Sequence, residues 1–237
     1  MDKYYRVGEK VNGYSIKKYI GDGRFGIAYL AVNDKYEKCV IKQLKNEMLE
    51  QSRNKLFYEE QILRRLDNPR FPKFISKFKD GYREGYILEY IEGHVIYDLL
   101  RSNRYRFDRD TIYRIGSQLL DIVELLHSHE IVHRDIRPPN VILKENNQLA
   151  LIDFGLARFI DNERYIRQTD YWYIGDFLLF LYYSNYRNIN PLERPWYDEL
   201  DLNYEELKLL KKLLGIEGRY YNIEEIKIQF EKIKNRY

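Results

Sequence analysis

The sequence predicts a mixed α+β fold in which a strand-rich first third precedes a larger, mainly helical remainder, the two joined near Tyr90 to Gly93. Short runs of strand-forming residues separated by turn residues fill the chain up to Tyr90, and only one helix-forming stretch interrupts them. After Gly93 the apolar residues recur at helical spacing. No internal repeat and no Pro/Gly/Ser-rich linker marks a second, separately folding domain. The expectation is a single domain, 1–237, with a first lobe over 1–91 and a second over 92–237.

Strands are expected at Tyr14 to Ile20, Ile27 to Asn33, Glu37 to Lys45, Lys73 to Phe78 and Tyr86 to Tyr90. The helix among them, Arg53 to Leu66, is rich in helix formers and stops at Asp67, Asn68 and Pro69. Asp108 to His129 is the clearest helix, because Ile112, Ile115, Leu119, Ile122 and Leu126 make one apolar face. Val141 to Leu143 and Leu149 to Ile152, separated by Glu145, Asn146 and Asn147, read as a hairpin. Further helices are expected at Asp170 to Ser184, Tyr204 to Leu214 and Ile223 to Ile233.

A chain of 237 residues, 44% hydrophobic and 16% aromatic, can bury a core. Its 40 basic and 37 acidic residues leave a formal charge of +3, so no field of one sign points to a nucleic-acid partner or an anionic membrane. The cluster Arg101, Arg104, Arg106 and Arg109 reads as a solvated turn before a helix, in preference to a docking patch. Cys39, the one cysteine, excludes an internal disulfide and suits a reducing cytoplasm, where a small core residue is its expected role. The polar start MDKYYRVGEK has no signal-peptide pattern, and the most apolar segment, Tyr171 to Tyr183, carries Asp176 and is shorter than the roughly 20 residues of a membrane span.

The chemistry is concentrated in three places. Gly21, Gly23 and Gly26 lie between two expected strands, where residues without Cβ let backbone approach phosphate oxygens and tolerate positive φ. Because a strand and not a helix follows the third glycine, the pattern suits a flap over a nucleotide, not a dinucleotide-binding turn. On the next strand Lys42 can neutralise phosphate charge if a carboxylate orients it. Glu59 on the Arg53 to Leu66 helix is the preferred partner, with Glu60 its rival. The third place is His133-Arg134-Asp135-Ile136-Arg137-Pro138-Pro139-Asn140, followed by Asp153-Phe154-Gly155. Asp135, Asn140 and Asp153 offer a proton acceptor and oxygen ligands for Mg²⁺ in one neighbourhood.

With these motifs in this order, the chain resembles the eukaryotic-type (Hanks-type) protein kinase superfamily from about Tyr14 to Asp170, and more weakly beyond. The resemblance implies a bilobal kinase-like fold, with a small antiparallel-sheet lobe carrying one helix and a larger, mainly helical lobe. It implies ATP with Mg²⁺, Mn²⁺ being able to substitute, and a protein Ser/Thr substrate. By it, Asp135 is the catalytic base, Lys42 pairs with Glu59 to serve the α- and β-phosphates, Arg137 keeps a positive charge near the transferring phosphate, and Asn140 and Asp153 hold metal. Gly21, Gly23, Gly26, Ala28, Val40, Lys42, Glu59, Leu88, Glu89, Ile91 and Ile142 would surround ATP, with Glu89 to Ile91 as the hinge. His133 and Phe154 become internal packing elements, while His94, His127 and His129 read as surface or packing residues.

The sequence departs from the family in three ways. Arg137 stands where Ser/Thr kinases usually have Lys, which keeps the charge but changes its geometry. Ala28 replaces a more usual Val. Only residues 156 to 169 separate Gly155 from the helix at Asp170, and no Ala-Pro-Glu motif fits there, so most of the peptide-positioning platform is missing. Two other functions compete: a small-molecule kinase of the aminoglycoside or choline phosphotransferase type, which also lacks that platform, and a pseudokinase binding module. The short segment also implies activity without loop phosphorylation, with Arg134 paired to Asp161 or Glu163, or equally to backbone carbonyls.

Overall fold

The computed structural model describes residues 2–24, 26–50, 58–81, 83–102, 105–186 and 194–234, the side chain of Lys234 excepted. The chain divides into two compact units, Met1–Glu92 and Gly93–Tyr237.

The first unit is built on an antiparallel sheet in the order β1-β2-β3-β4-β6-β5. Its strands are β1 (Lys10–Val11), β2 (Tyr14–Asp22), β3 (Gly26–Val32), β4 (Lys38–Leu44), β5 (Phe74–Asp80) and β6 (Arg83–Glu89). The five expected strands all form, with ends moved by up to three residues. Residues 46–50 are helical, and helix α1 runs over Tyr58–Leu63, while the expected helical residues 53–57 lie outside the described residues. Beyond Leu63 the chain turns, with Leu66 N donating to Leu63 O at 3.3 Å ahead of Pro69. Strand alternation separates two faces of the sheet. Ile27, Tyr29, Ala31, Cys39, Ile41 and Ile87 are buried on one face together with Tyr5 from the N-terminal segment, whereas Ala28, Val40 and Lys42 on the other are less completely buried. The free Cys39 lies in that core, and burial pushes its thiol up to about 12.

In the second unit β7 (His94–Val95) pairs with β9 (Val141–Leu143), which pairs with β10 (Leu149–Leu151) as the expected hairpin. β8 (Ile131–Val132) pairs with β11 (Arg158–Phe159). Around them lie α2 (Ile96–Arg101), α3 (Arg109–Ser128), α4 (Arg167–Tyr183), α5 (Trp196–Glu199), α6 (Tyr204–Leu213) and α7 (Ile223–Lys234). Asp108 caps α3 by accepting from Thr111 N at 2.9 Å, and the five residues of its expected apolar face are all buried. Gly116 on α3 has a packing reason, since a Cβ there would collide with the Phe230 ring of α7. α6 begins in a capping box between Asn203 and Glu206.

Glu206 is fully buried and needs its partners: Tyr113 Oη donates to it at 2.5 Å, Arg109 Nε at 3.1 Å and Tyr182 Oη at 3.2 Å. This corrects the reading of the basic cluster as merely solvated. Arg109 also donates to Asp201 O, and Arg106 to Ser184 O, so both tie helix ends together, while Arg104 lies outside the described residues. Among the described residues no helix is long and apolar enough to cross a membrane.

Candidate active site

In the first unit, register places Lys42 on β4 opposite Ala28 on β3 and Tyr86 on β6, and Val40 opposite Leu30 and Leu88. Because side chains alternate along β4, Val40 and Lys42 share a face. Lys42 Nζ lies 2.8 Å from Glu59 Oε1 and 2.7 Å from Oε2, with the Glu59 side chain only 3% exposed. Glu60, the rival, is engaged instead by Arg64 at 3.1 Å and Lys77 at 2.6 Å. The 3.6-residue turn of α1 makes the difference, since it buries Glu59, Ile62 and Leu63 together.

Gly21 ends β2 with Asp22, Gly23 closes the turn by donating to Gly26 O at 2.9 Å, and Gly26 opens β3. None of the three has positive φ, which corrects that part of the sequence argument. Their value is in space. A Cβ on Gly21 would meet nothing within 4 Å, so its face is open, whereas one on Gly26 would stand 2.6 Å from Gln43 O of β4. Leu88 and Ile91 are buried, and Glu89 accepts from Lys73 N at 3.0 Å through Oε2.

In the second unit the loop after β8 carries His133 to Asn140. Asp135 is largely buried, and its Oδ1 accepts from Arg137 Nε at 2.6 Å while Oδ2 accepts from Arg137 Nη2 at 3.1 Å. The bond to Asp135 holds the Arg137 guanidinium above its ordinary value. Asn140 Nδ2 donates to Asp135 Oδ2 at 2.8 Å and to Asp135 O at 2.9 Å, which leaves its Oδ1 as an acceptor for a cation. Asn140 O accepts from Ile152 N at 2.9 Å, so the strand leading to Asp153 is tied to the same loop. Asp153 adopts φ of 63° and accepts from Gly155 N at 3.3 Å. Ile142 sits on β9 nearby in sequence, buried and paired with Ala150 and Val95.

Sequence reasoning missed the residue that organises this loop. Asp170, fully buried in the first turn of α4, accepts from His133 N at 3.0 Å and Arg134 N at 2.8 Å, and meets His127 Nε2 at 3.0 Å. Arg134 stands at φ of 67°, an uncommon conformation for a side chain of its size, and the bond from its N–H offsets that strain. His133 is buried and packs edge-on against Phe154 at 4.8 Å, and burial holds its imidazole below its usual range, in the neutral form. His127 proves to be a buried structural partner, while His94 and His129 are exposed. Among the described residues no group of three or more His, Cys, Asp or Glu is arranged to hold a metal ion.

The protein kinase domain family matches residues 14–186. The chain is 35% identical over 222 residues to "Probable serine/threonine-protein kinase YbdM" of Bacillus subtilis, covering 90% of this chain and 86% of that protein. This chain belongs to the protein kinase family. Its relatives place it among the serine/threonine-protein kinases. It is also 30% identical over 155 residues to "Probable serine/threonine-protein kinase MARK-C" of Dictyostelium discoideum and 29% identical over 160 residues to "Serine/threonine-protein kinase B" of Synechocystis. In both, 63% of this chain is matched, but it spans only 20% and 28% of those longer proteins.

Within this kinase, residues 156 to 169 form a short ordered path. Asp161 Oδ1 accepts from the backbone N–H groups of Glu163, Arg164 and Tyr165 at 3.0, 2.9 and 2.7 Å. Its carboxylate therefore serves the turn. Arg134 instead donates to Leu156 O at 3.1 Å and lies 4.8 Å from the Tyr165 ring centroid, so of the two expected kinds of partner it takes the backbone carbonyl and adds an aromatic face.

Proposed function

We propose that this kinase transfers the γ-phosphoryl group of ATP to a Ser or Thr hydroxyl of a protein, with Mg²⁺ or, in its place, Mn²⁺, and that residues 1–237 act as one kinase domain in the cytoplasm. The observation that carries this reading is the bonded set Asp135, Asn140 and Ile152, which joins a carboxylate base, an amide oxygen and the strand leading to Asp153.

Asp135 is the group that accepts the hydroxyl proton, once Arg137 turns from it toward the transferring phosphate. Asn140 and Asp153 supply hard oxygen donors, the kind Mg²⁺ prefers, and the amide orientation of Asn140 fits that use. When bound, the metal would neutralise charge on the phosphates. Lys42, held by Glu59, meets the α- and β-phosphates, and the open backbone at Gly21 and Gly23 lets the turn approach them, with Gly26 fixing its return to the sheet. Ala28, Val40, Leu88 and Ile142 supply apolar contact for the base, and Glu89 to Ile91 supply backbone groups for its edge.

Purified protein incubated with labelled ATP, Mg²⁺ and a generic protein acceptor tests the reading. Label on protein, lost in Asp135→Asn, is the expected result. Label only on an added small alcohol would replace it with a small-molecule kinase, and nucleotide binding without turnover would make the chain a binding module.

A further inference from the structure

The glycine turn carries a carboxylate, Asp22, between Gly21 and Gly23. If that turn covers nucleotide phosphates, an unattended negative charge there opposes their binding. Asp22 is attended from two sides. Lys45 Nζ lies 2.5 Å from its Oδ1, and the Tyr4 hydroxyl donates to its Oδ2 at 2.6 Å. Both effects register electrostatically: the bond from Lys45, then that from Tyr4, holds the Asp22 carboxyl below its ordinary value, and the bond to Asp22 pushes the Tyr4 phenol up to about 12.

Tyr4 belongs to the segment before β1, and that segment is fixed on both sides of it. Asp2 Oδ1 accepts from Asn46 N at 2.8 Å, and Gln43 Nε2 donates to Lys3 O at 3.1 Å. Tyr5 N donates to Tyr29 Oη at 3.2 Å and Tyr5 Oη to Asp80 at 3.1 Å, while the Arg83 guanidinium lies 3.6 Å from the Tyr5 ring centroid. The Tyr4 ring itself is about half exposed, so its hydroxyl bond and not its burial distinguishes it from its neighbour.

We propose that Tyr4 is a positioning residue for the glycine turn, tying the Asp22 carboxylate to the anchored N-terminal segment so that, with Lys45, it lowers the electrostatic opposition to ATP. The inference rests on the kinase reading and concerns nucleotide affinity, not the transfer step.

The test compares wild type, Tyr4→Phe, Asp22→Asn and the double variant in steady-state kinetics and in calorimetric titration with a non-hydrolysable ATP analogue. Tyr4→Phe should raise KM for ATP and Kd for the analogue about three- to tenfold, the net scale of one ordinary hydrogen bond, with kcat and Tm little changed. In the Asp22→Asn background the same substitution should be silent. Unchanged affinity in Tyr4→Phe, an equal loss with Asn at 22, or a fall in Tm and kcat without a change in affinity would each overturn the proposal. A wild type that binds the analogue but labels no acceptor refutes the kinase reading, and the titrations still decide the role of Tyr4. Failure of wild type to bind the analogue overturns both.

Discussion

Lys42 in the first unit and the Asp135 loop in the second are held in opposite ways. Lys42 is fixed side chain to side chain, by both oxygens of Glu59. The loop is fixed through its backbone, by Asp170 accepting from two consecutive N–H groups. An ion pair can be removed by changing both partners together, because the two opposite charges then leave the interior at once. A backbone anchor has no such remedy, since its donors remain whatever side chains are chosen.

The largest effects should come from the residues that this scaffolding presents. Lys42→Met, Asp153→Ala and Asp135→Asn should each lower turnover at least about a hundredfold with circular dichroism unchanged. Turnover near wild type in any of them rejects its assigned role.

Next, stability should separate the two modes of support. Asp170→Ala strands the buried His133 N–H, at about 1–3 kcal/mol, and the part-buried Arg134 N–H, so Tm should drop by several degrees with turnover. Glu59→Gln should also lower Tm, because it removes the carboxylate charge that faces the largely buried Lys42, but the Lys42→Met, Glu59→Gln double variant should recover most of that loss. A double variant as unstable as the sum of the singles would break the comparison.

A smaller effect is expected in the segment from 156 to 169. Arg134 already has the Leu156 carbonyl and the Tyr165 ring, so we predict activity without phosphorylation of this segment. Phosphatase treatment and the Tyr165→Phe, Thr169→Ala double variant, which keeps the ring, should leave rates within about twofold of wild type. A lag removed by prior autophosphorylation would refute this. The smallest change is chemical: Cys39, a buried thiol raised to about 12, should resist alkylation at pH 8 until the protein unfolds, as mass spectrometry would read.

The same contrast explains what the sequence made legible. Strand alternation and helix periodicity carried the elements, and the turn of α1 was enough to prefer Glu59 over Glu60 as the partner of Lys42. Asp170 was visible only as the start of a helix, because a carboxylate that serves backbone N–H groups leaves no complementary residue to read. Arg106 and Arg109 misled for a related reason: their acceptors include the carbonyls of Ser184 and Asp201, which every residue possesses. β7, β8 and β11 are two-residue strands, too short for any period to appear. The partner of Arg134 stays open between carboxylate and carbonyl in the sequence, which does not tell that three N–H groups claim Asp161 first.

The contact between Gly116 and Phe230 sets a rule for how this chain can vary. The glycine lies in the middle of α3, where it gives up the stability an alanine would add, and what it gains is room for a ring from a helix more than a hundred positions later. The two sites should therefore drift as a pair: a β-carbon at 116 becomes acceptable only where 230 has shrunk, and a library randomised at both positions should return functional clones along that diagonal.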